Sequence, residues 1–239
     1  MANSWFKFKQ FSISQDKAAM KVGTDGVLLG AWADVEGSQR ILDIGTGTGL
    51  LALMLAQRNN EAIITAIDIN QDAVIQAKEN FARSKWKASL SVVHASLADF
   101  TRVNDTKFDQ IICNPPFFKN AFKSHNSARN TARLNDSLPF DDLLKHACNL
   151  THLKSRLAVV IPFEAELEFI KISERYGFFL KRVLRIQPTP SKNYSRSLIE
   201  LSRQDVGQIE VSHLVVEDKG RHGYSDEYIN LTKNYYLAF

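Results

Sequence analysis

Cysteine is almost missing from this chain of 239 residues, which has only Cys113 and Cys148. Two cysteines build neither a disulfide framework nor, by themselves, a zinc site. Both lie in apolar stretches that suit reduced core thiols. No apolar run approaches the roughly 20 residues that span a bilayer. The opening stretch, MANSWFKFKQ, lacks the apolar segment of a secretory signal. Internal repeats, low-complexity tracts and domain-splitting linkers are also missing. A cytoplasmic location, no membrane partner, no metal and a monomeric state are therefore expected. Against these gaps stands a 44% hydrophobic content, enough for a sizeable core. The net charge is +4 and the pI about 9.0, a mild excess compatible with a polyanionic partner.

The length fits one α/β domain. The expected organisation is a single domain over residues 1–239. It comprises an N-terminal extension (1–35), a core (36–205) and a C-terminal strand and helix extension (206–239).

The most informative stretch is Phe108–Phe117, FDQIICNPPF. Its apolar start reads as a buried strand. Pro115 and Pro116 have no N–H to donate and so end any strand ladder. They also push Asn114 into an extended conformation. The result is a stiff elbow at a strand's carboxyl end, where open parallel sheets bind ligands. The Asn114 side-chain oxygen and the Pro115 carbonyl are two acceptors that suit a substrate NH2 group. Accepting both N–H bonds makes the nitrogen lone pair more available. Phe117 offers a ring for stacking on a planar group, as aromatics do with extruded bases. The plainer alternative, which a motif without its structural context leaves open, is a proline-rich turn after a strand.

Upstream, Trp5, Phe6, Phe8 and Phe11 mix with Lys7 and Lys9, and the alternation predicts a short edge strand packing on the domain. In KVGTDGVLLGAWA, Thr24 or Asp25 is expected to cap a helix over Val27–Ala33, whose start borders a ligand pocket. Arg40–Ile44 reads as a buried strand ending near Asp43. It feeds the glycine run Gly45-Thr46-Gly47-Thr48-Gly49 and a helix over Leu50–Gln57. Strand, glycine turn and helix start together make a loop for a nucleotide-like ligand. The second strand, Ala62–Ile67, ends in Asp68, placed to accept hydrogen bonds from ribose hydroxyls. Asn70 is the expected cap of the next helix. Leu90–Val93 is the third strand, with Ser96 and Leu97 in the loop after it.

Phe118–Asp136 is a polar segment carrying Lys119, Lys123, Arg129 and Arg133. It reads either as a solvated loop or as a contact to a phosphate backbone. Leu138–Leu150 is a helix and Arg156–Ile161 the fifth strand. Pro162 then opens a helix over Phe163–Tyr176. Phe178–Gln187 and Arg196–Arg203 read as an antiparallel hairpin. Gln208–Val216 is a further strand, and the aromatic tail Tyr224–Phe239 a docking helix.

With DIGTGTG after strand one, an acid after strand two and NPPF after strand four, the chain resembles the class I S-adenosylmethionine-dependent methyltransferases. That resemblance implies an α/β, Rossmann-like fold with a seven-stranded, mostly parallel sheet and an antiparallel C-terminal hairpin. It implies S-adenosylmethionine as cofactor, with Gly45, Thr46, Gly47 and Gly49 near its methionine part and Asp43 and Thr24 beside it. Asp68 is implied on the ribose, Ile69 against the adenine, and Ser96 and Leu97 at the adenine edge, where many relatives carry Asp or Asn. Together with KVGTDGVLLGAW, SARNTARLND, LPFDDLL and YSDEYINLTKNYYL, these motifs are similar over nearly the whole chain to the bacterial valine-tRNA adenine-37 N6-methyltransferases. The implied partner is tRNA, and the implied catalytic set is Asn114, Pro115, Pro116 and Phe117. The implied reaction is methyl transfer to adenine N6. Alternatives are a ribosomal RNA guanine, a DNA base or a release-factor glutamine. From other classes come a nicotinamide-dependent oxidoreductase and a non-catalytic RNA-binding protein.

Overall fold

The computed structural model describes residues 4–18, 20–116, 138–205 and 207–239. Two short strands open the chain, β1 (Trp5–Lys7) and β2 (Ser12–Ser14), paired antiparallel as a separate hairpin. Helix α1 (Thr24–Trp32) follows, then five strands that run parallel: β3 (Arg40–Ile44), β4 (Ile63–Asp68), β5 (Leu90–His94), β6 (Phe108–Cys113) and β7 (Thr151–Pro162). Between them lie α2 (Leu50–Arg58), α3 (Gln71–Arg83), α4 (Leu97–Val103) and α5 (Phe140–Asn149). After α6 (Glu166–Arg175) comes β8 (Phe179–Gln187), and β9 (Arg196–Ser202) then runs back antiparallel to it. β10 (Glu210–Val215) and α7 (Asp226–Thr232) complete the described elements.

The main sheet has the order β10-β8-β9-β7-β6-β3-β4-β5. Its eight strands exceed the seven expected. Glu210–Val215 does not stop at the hairpin but pairs parallel with β8 along the edge. The hairpin itself forms as expected, with β9 antiparallel to both β7 and β8.

Near-continuous apolar strands need both faces covered. One layer packs Val27, Leu29, Leu53, Phe81 and Tyr228 against Ile41, Ile64 and Leu198. The other packs Leu97, Phe100, Leu143 and Phe169 against Leu42, Ile111, Val159 and Ile199. Asn70 caps α3 as expected, its side chain accepting from the N–H groups of Asp72 and Ala73. Neither Thr24 nor Asp25 caps α1. The cap position is Gly23, and both residues sit inside the first turn. The α4 helix replaces the loop expected over Ser96 and Leu97, with Ser96 as its cap. Pro162 ends β7 and precedes a short 3-10 turn, Phe163–Ala165, rather than opening α6 directly.

The aromatic N-terminus serves the core rather than the surface. Phe8 and Phe11 are buried, and Phe8 stacks on Tyr236 with ring centres 5.9 Å apart. The Lys9 N–H donates to the Tyr235 carbonyl at 2.8 Å, so the two ends of the described chain brace each other. Replacing Phe8 with Ala therefore removes about 3–5 kcal/mol of stability. Urea unfolding measures this, and the loss is expected to loosen the Tyr235–Tyr236 end at the same time.

Candidate functional site

Three strands deliver their carboxyl ends to one place. Ile44 pairs with Ile67 on one side and with Cys113 on the other, so the glycine loop, Asp68 and the Asn114 elbow leave adjacent strands at one level. Neighbouring strands are ~4.8 Å apart, which puts the loop and the elbow side by side.

Asp43 organises the loop from beneath. Its carboxylate is fully buried, and Oδ2 accepts from Thr46 Oγ1 at 2.6 Å and from the Ala52 N–H at 3.2 Å. One side chain thus ties the strand end, the loop and the first turn of α2. Oδ1 has no hydrogen-bond partner among the described residues. Burial pushes the Asp43 carboxyl up to about 7. The bonds from Thr46 and Ala52 pull it down, and the Asp68 charge adds to the rise. Asp43 is enclosed, and the contacts it makes shape the loop. The Gly45 and Thr46 N–H groups both donate to the Ile67 carbonyl, at 2.9 and 3.0 Å.

Gly45 and Gly47 take positive φ angles of 69° and 56°, and a Cβ on either would meet open space. Their backbone is therefore free for close approach by a ligand. Gly49, with φ 82°, is glycine for another reason: a Cβ there would lie 2.5 Å from the Phe81 ring.

Asp68 holds the loop's other side. Oδ2 accepts from the Gly47 N–H at 2.8 Å, and Oδ1 from the Asn70 N–H at 2.9 Å. Each oxygen keeps a lone pair for a hydroxyl. Beside it Ile69 stands 57% exposed, an apolar surface on the rim. The Ile69 carbonyl meets His94 Nε2 at 2.9 Å, so His94 is structural. Ser96 commits its hydroxyl to Asp99 Oδ2 at 2.6 Å, and Leu97 is buried in the core.

Asn114 is half-buried, Pro115 buried and Pro116 half-buried. Among the described residues the Asn114 amide has no hydrogen-bond partner. The buried Gly26 of α1 lies next to it, where a Cβ would be 3.9 Å from Asn114 Nδ2. The α1 start therefore borders the elbow, although Thr24 itself is exposed. Sequence reasoning missed the tie that holds α1 there: Arg196 Nε donates to Asp25 Oδ2 at 2.8 Å. A basic residue opening a hairpin strand gave no hint of its distant partner. It also missed the loop-bracing role of Asp68, for which the adjoining Asn70 cap is the only signal. Cys113 is buried beside this site, and burial, with the Asp43 and Asp68 charges, raises its thiol well above its ordinary value. It remains a neutral packing group. Phe117, Lys119, Lys123, Arg129 and Arg133 lie outside the described residues.

The methyltransferase small domain model matches residues 19–133. A tRNA1(Val) (adenine(37)-N6)-methyltransferase of Flavobacterium johnsoniae is 45% identical over 233 residues, 97% of this chain and 99% of its own. A protein of the same name from Trichodesmium erythraeum is 43% identical over the full length of both chains. Among solved structures, a predicted O-methyltransferase of Agrobacterium tumefaciens superposes with a TM-score of 0.67 at 18% identity, covering 88% of this chain and 96% of its own. A ribosomal protein L11 methylase of Lactobacillus delbrueckii superposes with a TM-score of 0.57 at 17% identity, covering 81% and 84%. At such identities the superpositions show the fold.

The buried Asp43 has a consequence for pH. Its folded-state value, about 7, lies above its ordinary 3.8, so the folded protein holds the extra proton between those limits. Stability from this group therefore falls as pH rises from about 4 to about 7 and is level above that. An Asp43→Asn protein, whose amide mimics the protonated carboxyl, is expected to lose this slope. Urea midpoints across that range test it, and an unchanged slope contradicts the assignment.

Proposed function

The chain belongs to the tRNA1(Val) (adenine(37)-N6)-methyltransferase family, and from that premise we infer that its carboxyl-edge site methylates N6 of adenine 37 in valine tRNA. The observation that carries the reading is the placement of the Asn114 amide, without a partner among the described residues, next to an open, braced glycine loop. The residues present fit the cofactor. Gly45 and Gly47 leave room for its approach, Asp68 retains acceptor capacity for ribose hydroxyls, and Ile69 offers an apolar face for the adenine. S-adenosylmethionine, when bound, supplies a methyl group made electrophilic by its sulfonium.

The chain's own residues prepare the acceptor nitrogen. The target adenine leaves its loop to reach the elbow. The Asn114 side-chain oxygen and the Pro115 carbonyl accept the two N6 hydrogens, which localises the lone pair on nitrogen and aims it. Pro115 and Pro116 keep these acceptors rigid, because each proline fixes its own φ. Phe117 stacks on the base. Nitrogen becomes acidic only after it has gained the methyl group, so no strong base is needed. Asp43 and Cys113, the titratable groups closest to the elbow in sequence and register, are both enclosed. Most of the rate enhancement is positioning. The Lys119, Lys123, Arg129 and Arg133 segment, following directly on the elbow, is assigned to the RNA backbone.

Replacing Asn114 with Ala is expected to leave S-adenosylmethionine affinity unchanged by calorimetry and to lower methyl transfer to tRNA by about 10²–10³-fold, the scale of one lost preorganised hydrogen-bonding group. Transfer at the wild-type rate removes Asn114 from the mechanism.

A further inference from the structure

The chain's positive charge is not spread evenly. Residues 4–21 and 78–87 contain eight Lys and Arg and only two acids, Asp16 and Glu79, a balance of +6. The whole chain carries +4, so everything outside these two stretches sums to −2. The fold brings the two stretches together. The β1–β2 hairpin lies on the C-terminal half of α3: the Ser14 N–H donates to Asn80 Oδ1, and Asn80 Nδ2 to the Ser14 carbonyl, both at 2.9 Å. The Lys17 N–H donates to Gln76 Oε1 at 2.9 Å. A groove of about 550 Å³ runs between hairpin and helix, with Trp5, 55% exposed, on its wall.

All eight basic residues are exposed. Among the described residues, Lys17 alone of the eight forms a side-chain ion pair, with Glu79. Arg83 donates to the Ser14 hydroxyl and Lys85 to the Gln10 amide, each at 2.7 Å, and Lys9 to backbone carbonyls. The Ser14, Gln10 and Lys233 oxygens are neutral and orient these charges without cancelling them, whereas Lys9 also reaches the terminal oxygen of Phe239. Lys7, Lys21, Lys78 and Lys87 have no partner among the described residues.

We propose that this hairpin–α3 face is a binding surface for the phosphate backbone of the RNA substrate, separate from the carboxyl-edge site. A largely unneutralised cluster of positive charge is the electrostatic footprint of a polyanion partner. Its position fits a stem adjoining the target loop. The thirteen residues of α3 run about 20 Å from the Asp68–Ile69 rim to the cluster. A base held at Asn114 and a helical stem held at the hairpin are thus gripped at two separated points. The backbone contacts position the RNA and carry no sequence information. The proposal rests on RNA being the substrate.

The test is binding and methylation of a valine tRNA transcript across a salt series. A protein with Lys7→Gln, Lys21→Gln, Lys78→Gln and Lys87→Gln is compared with one changed at four exposed lysines elsewhere, Lys107, Lys145, Lys154 and Lys171. The patch variant is expected to show a log–log salt slope shallower by about two to three. Its KM for tRNA is expected to rise about tenfold or more, with kcat and S-adenosylmethionine affinity unchanged. The control variant is expected to keep the wild-type slope. Should the fourfold variant fail to fold, the pairs Lys7/Lys21 and Lys78/Lys87 are each expected to give about half the slope change. A wild-type slope and KM in the patch variant, or an equal loss in the control, overturns the proposal alone. A wild-type protein that methylates no tRNA overturns the reading beneath it.

Discussion

A carboxyl group sealed away from water holds the site together. Asp43 joins the end of β3 to Thr46 in the loop and to Ala52 in α2. Charged, it would bear a large desolvation cost with only two donors to offset it. That cost raises its value to about 7, so the group holds a proton well above the ordinary carboxylate range. Asp68 then secures the loop's outer side through the Gly47 N–H. Between these two acids the glycines keep a left-handed path that leaves their ligand-facing side open. The acid beneath sets the loop, and the acid beside it keeps acceptor capacity for a ligand.

The elbow depends on the same parallel pairing. Because β3 and β6 are neighbours in register, a loop built for a nucleotide-like ligand and an acceptor pair built for an amino group arrive together. The Asp25–Arg196 ion pair clamps the hairpin strand to the helix that abuts Asn114. Elements more than 170 residues apart thereby share responsibility for one amide side chain. The N-terminal hairpin belongs to the same scheme: its aromatic face fills the core, and its basic face stays in water with few counter-charges.

Much of this was legible in the residues. The strands Arg40–Ile44 and Phe108–Cys113 were read to their limits, because each is a short, mostly apolar stretch that runs into a glycine turn or a proline elbow. The Asn70 cap and the buried Ala73, Ala77 and Phe81 followed from helical spacing. Failures came where local signals were short or partners distant. LADFTRV has only Leu97 and Phe100 to mark its buried side, so α4 passed for a loop. The eighth strand depends on a parallel neighbour that no local pattern announces. Thr24 and Asp25 have good capping side chains, yet Gly23 occupies the cap and Asp25 is drawn to Arg196. The basic segment after the elbow falls outside the described residues, so its part in the site rests on sequence.

The central claim is that this edge of the sheet places a methyl group on one adenine nitrogen of tRNA. The direct measurement is nucleoside analysis of valine tRNA after incubation with the purified protein and labelled S-adenosylmethionine. The account predicts label in N6-methyladenosine alone, at position 37. Label in another nucleoside, or tRNA left unlabelled while ribosomal RNA, DNA or a release factor takes it up, contradicts it.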